Sequence, residues 1–390
     1  MSFSVHSHHA VEAADFIVIG AGMAGASVAW WLAPHGRVVV LERESQPGYH
    51  TTGRSAAVYL EAYGSPQVRA LTLGSRDFFL HPPAGFAEHA LMTPRGALMV
   101  AAPGEEAELA AHLAMLASLG LRHERLTPAQ ACAMVPVLRP EQVVDAVYEP
   151  GACDLDVHAI HQGFLKGVRQ HGGAVVCNAP VQVLHHDGLN WQVRTPAGQW
   201  QAPVVVNAAG AWADELGQLA GAQPIGLVPC RRSALMLSAA ETVPGGLPTA
   251  HWPMTYSAGE GWYFKPDAGQ LLASPANTDP THPQDVQPEE LDIALAIDRL
   301  QTATTLAIRR PTHTWAGLRS FVADKSLVGG FDARAPGFFW VAGQGGYGIQ
   351  TAPAMGQACA CLLRGQPLPP HLLALGLTAD MLSPARLAVN

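Results

Sequence analysis

Phe16-Ile17-Val18-Ile19-Gly20-Ala21-Gly22-Met23-Ala24-Gly25 opens the readable part of the chain, and Val38-Val39-Val40-Leu41-Glu42 follows it. An apolar run closed by glycine predicts a buried strand. The small and apolar residues after it predict a helix, and the second run predicts another strand ending on an acid. Gly20 permits the tight turn, Gly22 lets backbone N–H groups approach a pyrophosphate, and Gly25 lets the helix lie close to the strand. Ala24 belongs to the same turn. Phosphates sit at such a helix start because its free N–H groups and dipole favour negative charge. Glu42 is placed to take a ribose hydroxyl, with Arg43 beside it. A glycine turn with no ligand is the plainer alternative. It is disfavoured because strand, helix and acid all stand at the required spacing.

The chain has 390 residues, 48% of them hydrophobic and 14% charged, enough for two domains and a large core. Its net charge is −8 and no run of Lys and Arg stands out, which argues against a nucleic-acid partner. Met1–Ala14 carries three histidines and no apolar stretch, so it predicts a flexible extension over 1–11 and not a signal peptide. No segment approaches the roughly 18 consecutive apolar residues of a membrane-spanning helix. Cys132, Cys153, Cys177 and Cys230 lie far apart, and Cys359 and Cys361 point apart on a helix. Reduced thiols in a cytoplasm are the simple consequence. No Cys/His cluster has metal-ligand spacing.

Further along, Gly48–Ala57 predicts a loop entering a helix, Ala97–Ala101 a strand and Glu105–Leu119 a helix. Asp154 and Asp156 are expected as turn and N-cap residues ahead of a helix with apolar positions Val157, Ile160, Phe164, Leu165 and Val168. Trp191–Val193 and Trp200–Ala202 form a hairpin around Pro196–Gly198. Pro203–Ala209 is a buried strand leading to Gly210, and residues 226–275 are rich in β-structure. Thr281–Pro288 is a polar loop before a helix over Glu289–Leu306. Gly337–Ala342 is a last buried strand, and Gly343–Gly348 leads into the helix Thr351–Leu363.

Five segments carry a family resemblance: Val18–Ser27, Gly48–Ala57, Val206–Trp212, Thr314–Ser320 and Gly345–Gln350. Together they resemble the FAD-dependent D-amino acid oxidase/dehydrogenase superfamily over nearly the whole chain, closest to the bacterial D-arginine dehydrogenase type. The resemblance implies an α/β fold, in part α+β: a Rossmann-like FAD-binding domain with an inserted mixed β-sheet substrate domain. The cofactor domain is expected over 12–84, 150–215 and 316–390, and the substrate domain over 85–149 and 216–315. It further implies hydride transfer from Cα to flavin N5, giving an imino acid that water hydrolyses to a 2-oxo acid and ammonia. No attachment cysteine matches, so the FAD is expected to be non-covalent.

The resemblance also assigns residues. Arg232 and Arg319 match carboxylate-binding positions, where a fork-shaped guanidinium suits a planar carboxylate. Arg231 is expected to be the more exposed of its pair. Tyr63 and Tyr263 match positions that line the substrate site. Gly346 and Tyr347 precede a helix whose N-terminus suits the flavin pyrimidine. Thr51, Thr52, Gly53, Arg54, Ser55 and Ala56 are expected at the pyrophosphate and flavin, Val181 at adenine, and Ala209 and Gly210 near the ribityl chain or phosphates. Gly317, Gly345, Gly348 and Ile349 complete the cofactor set. Any of these arginines and tyrosines has the bland alternative of a solvated or packing role. His251 is expected as an ordinary loop histidine, and no general base is nominated.

The chain departs from the D-arginine type at Ala97, where that type has an acid, and at Val58 and Leu60, where it has polar residues. With Met254, these positions predict a pocket for neutral or apolar D-amino acids. Glu61 and Glu88 are the acids that could restore cation binding. The principal alternative is a glycine/sarcosine-type amine oxidase using O2. A flavoprotein acting on tRNA bases and a nicotinamide-only dehydrogenase fit the charge and the later motifs less well. A quinone or O2 is the expected electron acceptor. Peripheral attachment to the inner membrane stays open, with no integral segment.

Overall fold

A computed structural model describes residues 11–387; the expected extension lies almost wholly outside them, and Val11 is exposed. Five parallel strands form the first sheet, in the spatial order Ala174–Val176, Val38–Leu41, Phe16–Ile19, Val204–Asn207 and Phe338–Ala342, with Val328–Phe331 antiparallel at the edge. Their almost wholly apolar sequences, Asn207 excepted, follow from cover on both faces. Val18, Val40, Phe339 and Val341 meet the helices Met23–Leu32 and Ala352–Leu363. Ile17, Ile19, Val39, Leu41, Phe338 and Trp340 meet a second, four-stranded sheet that includes the hairpin Trp191–Thr195 and Gly198–Ala202.

The large mixed sheet is built from segments of both inserted regions. Its longest strand, Val228–Ser238, pairs from Val228 to Met236 with the whole of His313–Phe321. Onward the order is Gln270–Ser274, Tyr263–Asp267, Met254–Ser257, Ala97–Ala101, Asp145–Glu149 and Glu124–Leu126. The expected domain boundary at 315/316 therefore falls inside a strand. Full-length pairing ties His313–Phe321 to this sheet while its residues Gly317–Ser320 face the first.

Two local expectations are corrected. Gly48–Ala57 does enter a helix, but only a single turn of 3-10 helix, Thr51–Arg54, followed by a strand, Val58–Tyr59, and not a longer one. Asp156 does cap its helix, accepting from Ala159 N at 2.8 Å. Asp154, however, is a strand residue with an electrostatic job. Its carboxylate takes Arg95 Nε at 2.7 Å and Lys265 Nζ at 2.8 Å, joining a small three-stranded sheet to the large one. The buried Lys265 ammonium needs that partner, since desolvating an unpaired charge costs several kcal/mol.

Candidate active site

A cleft of about 590 Å³ runs between the first sheet and the large sheet. One end is the glycine turn. Gly20 has φ +105°, and a Cβ there would stand 2.3 Å from the Ala208 carbonyl oxygen, so only glycine fits. The turn is braced from a distance. Glu42 accepts Ala21 N at 2.9 Å and Glu44 N at 3.0 Å. Thr52 Oγ1 accepts Met23 N at 2.9 Å and so caps a helix whose own N-cap, Gly22, has no side chain. His161 Nε2 meets the Ala21 carbonyl at 2.8 Å, and burial holds its pKa below the usual histidine range, so the ring is a neutral donor. Neither the cap from Thr52 nor the His161 support was readable locally, because the partners are far apart in sequence.

Most of the expected cofactor residues line this cleft: Gly20, Gly22, Ala24, Glu42, Arg43, Thr51, Thr52, Arg54, Ser55, Ala56, Val181, Ala209, Gly210, Gly317, Gly345, Gly346, Gly348 and Ile349. Gly25 and Gly53 do not. Gly25 is a packing glycine, and Gly53 N closes the loop onto Gly48 O at 2.9 Å. Arg43 lies over the Trp212 ring at 4.6 Å. The Arg54 guanidinium is spent on protein: Nη1 donates to Ala316 O and Val286 O, and Nη2 to Asp285. The turn at Gly345–Ile349 lines the cleft ahead of the helix that begins at Ala352.

At the other end, Arg232, Arg319 and Tyr263 line the cleft. Arg232 pairs with Gly317 in the antiparallel register, so Arg319, two residues on, projects from the same face. Tyr63 OH accepts from Arg319 Nη1 at 3.3 Å, and Tyr347 packs edge-on against Tyr63 at 4.9 Å. Neither tyrosine lines the cleft, and Tyr63 reaches Arg319 through its hydroxyl. Arg232 Nε donates to Asn277 O at 2.5 Å, and Nη2 to Thr278 Oγ1 at 3.1 Å. Among the described residues neither guanidinium has a carboxylate partner within salt-bridge distance. Burial first, then the charge of Arg319, push the Arg232 pKa down. Burial and the neighbouring Tyr63 push the Tyr347 phenol up to about 12, so it is protonated at neutral pH. A Cβ at Gly346 would come within 2.8 Å of Arg319 Nη1 and push the guanidinium from its place.

Other expectations change. Arg231 is the less deeply enclosed of its pair, as expected, but it is not a free surface charge. On the opposite face of the strand it is largely buried, bound to Asp292 at 2.8 Å and also to Glu289. Val58, Leu60, Ala97 and Met254 do not line the cleft. Ala97 is fully buried between its strand neighbours Met254 and Glu149 and offers no surface to a substrate. Leu60 is held by its backbone, with N bound to Gln350 Oε1 at 3.1 Å. Glu61 is paired with Arg76 and Glu88 is exposed. The only carboxylates among the described lining residues are Glu42 and Glu215, and both accompany the nucleotide-end residues.

A dinucleotide cradle that opens onto two unpaired arginines defines a nucleotide-dependent oxidoreductase with an anion clamp. The chain belongs to the DAO family of FAD dependent oxidoreductases, whose description matches residues 15–362. Human mitochondrial dimethylglycine dehydrogenase is 27% identical over 54% of this chain, but only a quarter of that protein's length is covered. An L-proline dehydrogenase structure from P. horikoshii superposes with a TM-score of 0.79 at 21% identity, covering 95% of this chain and 100% of that one. A glycine oxidase structure from Geobacillus kaustophilus gives 0.77 at 22% identity, covering 91% and 96%. The cofactor is FAD, and the cleft fits it. Besides the glycine cradle, the Gln344 amide nitrogen is buried at the cleft wall without a partner, a donor awaiting an acceptor. None of the six cysteines lines the cleft, in keeping with non-covalent attachment.

Glu42 braces the turn through Ala21 N and lines the cleft. Glu42→Ala is expected to weaken FAD at least tenfold, since hydrogen bonds to a charged group are worth roughly 1.5–3 kcal/mol each. Titrating FAD into apoprotein checks this, and unchanged affinity would remove Glu42 from the cofactor site.

Proposed function

We propose that the protein oxidises the Cα–N bond of neutral D-amino acids, releasing an imino acid that water hydrolyses to a 2-oxo acid and ammonia. Bound FAD supplies the hydride acceptor. The observation that carries this reading is the pair Arg232 and Arg319, unpaired with any carboxylate and facing the same cleft. Two such cations call for an anion, and an α-carboxylate held in their forks fixes Cα relative to the cofactor. Tyr63, through its hydroxyl, orients Arg319. No carboxylate or imidazole stands at the clamp end of the lining, so the amine is best presented neutral, with its proton already lost to water.

Neutral side chains are favoured because the clamp end offers no acid to a guanidinium or ammonium. The buried cation nearby, Lys265, lies on the same strand face as Tyr263. The D configuration rests on the five sequence segments that resemble the D-amino acid oxidase/dehydrogenase superfamily. The relatives named for glycine and dimethylglycine motivate a second reading, a small-amine oxidase using O2.

Anaerobic mixing with single amino acids separates them. Bleaching of the flavin absorbance by D-Leu, D-Met or D-Phe is expected, with kcat/KM for D-Arg and D-Lys about 100-fold lower, as several kcal/mol of unpaired charge burial implies. The highest kcat/KM for D-Arg would overturn the neutral preference. Bleaching only by glycine or sarcosine would establish the second reading. Re-oxidation by O2 or by a soluble quinone then identifies the electron acceptor.

A further inference from the structure

We propose that Asp285 and Arg54 form a latch that sets how fast FAD leaves the protein. The polar loop 281–288 belongs to the segment that follows the large sheet's strand Asp279–Pro280, yet it closes on the wall of the cofactor cleft. Asp285 gathers three side chains of that wall. Arg54 Nη2 donates to it at 2.5 Å and Tyr49 OH at 3.2 Å, and His50 Nδ1 stands 4.0 Å away. Next to it, the Val286 carbonyl takes Arg54 Nη1 at 3.1 Å. The Val286 side chain is buried with Ala211, Ala316 and Leu318.

Tyr49, His50 and Arg54 all line the cleft, and they lie on the same loop as Thr51 and Thr52. Arg54 also binds the Ala316 carbonyl, and its own carbonyl accepts Trp315 Nε1 at 3.0 Å. The cofactor loop is thereby held on two sides, by a strand and by a strap that reaches it from more than 200 residues away in sequence. The strand side rests on backbone and buried contacts. The strap side adds the Val286 carbonyl and its buried side chain, but its one charged contact is the half-exposed Asp285 carboxylate, the contact that opens first. Arg54 therefore positions the wall around the pyrophosphate and is not itself the cation that neutralises it. The proposal depends on the FAD site alone and not on the substrate.

The experiment measures the rate at which holoprotein loses FAD, by the rise of flavin fluorescence after large dilution into flavin-free buffer. Asp285→Ala is expected to release FAD roughly five- to tenfold faster, a half-exposed charged bond with two further donors being worth about that factor. Glu12→Ala, which breaks a comparably exposed ion pair with Arg37, serves as the control and is expected to leave the rate unchanged. Arg54→Lys keeps the charge but not the fork, and is expected to resemble Asp285→Ala. A release rate in Asp285→Ala within twofold of wild type would overturn the latch. So would an equal acceleration in Glu12→Ala, which would reduce the effect to general loosening.

Discussion

Arg319→Leu loses kcat/KM for the best amino acid by about 30- to several-thousandfold, while the purified protein keeps its FAD. The range converts the roughly 2–5 kcal/mol lost when one partner of a buried charged pair is truncated. Arg319 faces no carboxylate of its own protein, so the substrate's carboxylate is its natural partner, and KM should carry much of the loss. Stability should change little. Arg232 and Arg319 share one face of a strand pair, and after burial it is the Arg319 charge that pushes the Arg232 pKa down. Arg319 itself is held charged, against the cost of its burial, by the neighbouring phenols of Tyr63 and Tyr263. Arg319→Leu removes the repulsion and the phenol contacts together, so its thermal midpoint is expected to stay near that of wild type. Arg319→Lys should recover only part of the activity, because an ammonium cannot grip both carboxylate oxygens in a plane. The combined loss of both arginines should fall short of the sum of the single losses, since they act on one anion. An Arg319→Leu enzyme with kcat/KM within threefold of wild type would remove the clamp from the site.

The parts of the fold that could be read in the sequence are those where one element's environment is uniform. Val38–Leu41 is buried on both faces, so it reads as a continuous apolar run, and the hairpin at Pro196–Gly198 announces itself by its turn residues. The glycine turn was legible for the same reason: one strand, one turn and one helix hold Gly20, Gly22 and Gly25. Arg232 and Arg319 were singled out only through resemblance. What failed depended on partners distant in the chain. Arg231 carries no local sign of the Asp292 that buries it, and Asp154 none of Arg95 and Lys265. Strand alternation would have separated Arg231 from Arg232 had Val228–Ser238 been read as one strand. Ala97 was assigned to the pocket by position, but it sits between two neighbouring strands that leave it no open face.

Gly22→Ala and Gly25→Ala are expected to fail in different ways, and the contrast separates what the turn does for the fold from what it does for FAD. At Gly25 a Cβ would lie 1.9 Å from the Gly20 carbonyl oxygen and 3.2 Å from Ala208 Cβ. Nothing flexible stands there to give way, so the helix Met23–Leu32 must lift from the sheet. That helix packs against both Ala352–Leu363 and Val157–Gln170, and the shift is transmitted to each. Overpacking of this kind typically costs about 1–3 kcal/mol, and a backbone obstruction belongs at the upper end or above. Gly25→Ala is therefore expected to yield little soluble protein, or protein with a midpoint lowered by several degrees and no yellow colour. At Gly22 the nearest atom to a new Cβ is Thr52 Oγ1 at 3.4 Å, an ordinary contact. The chain there has φ −73°, which alanine adopts freely. Gly22→Ala should fold with a near-native apoprotein midpoint, yet its methyl group enters the space the pyrophosphate needs against the helix start. Its flavin-to-protein ratio after purification is expected to fall well below that of wild type, with affinity weakened at least tenfold. Full FAD occupancy in Gly22→Ala would mean that the diphosphate does not approach the turn at its second glycine, and the cradle would have to be placed nearer Thr51 and Ser55.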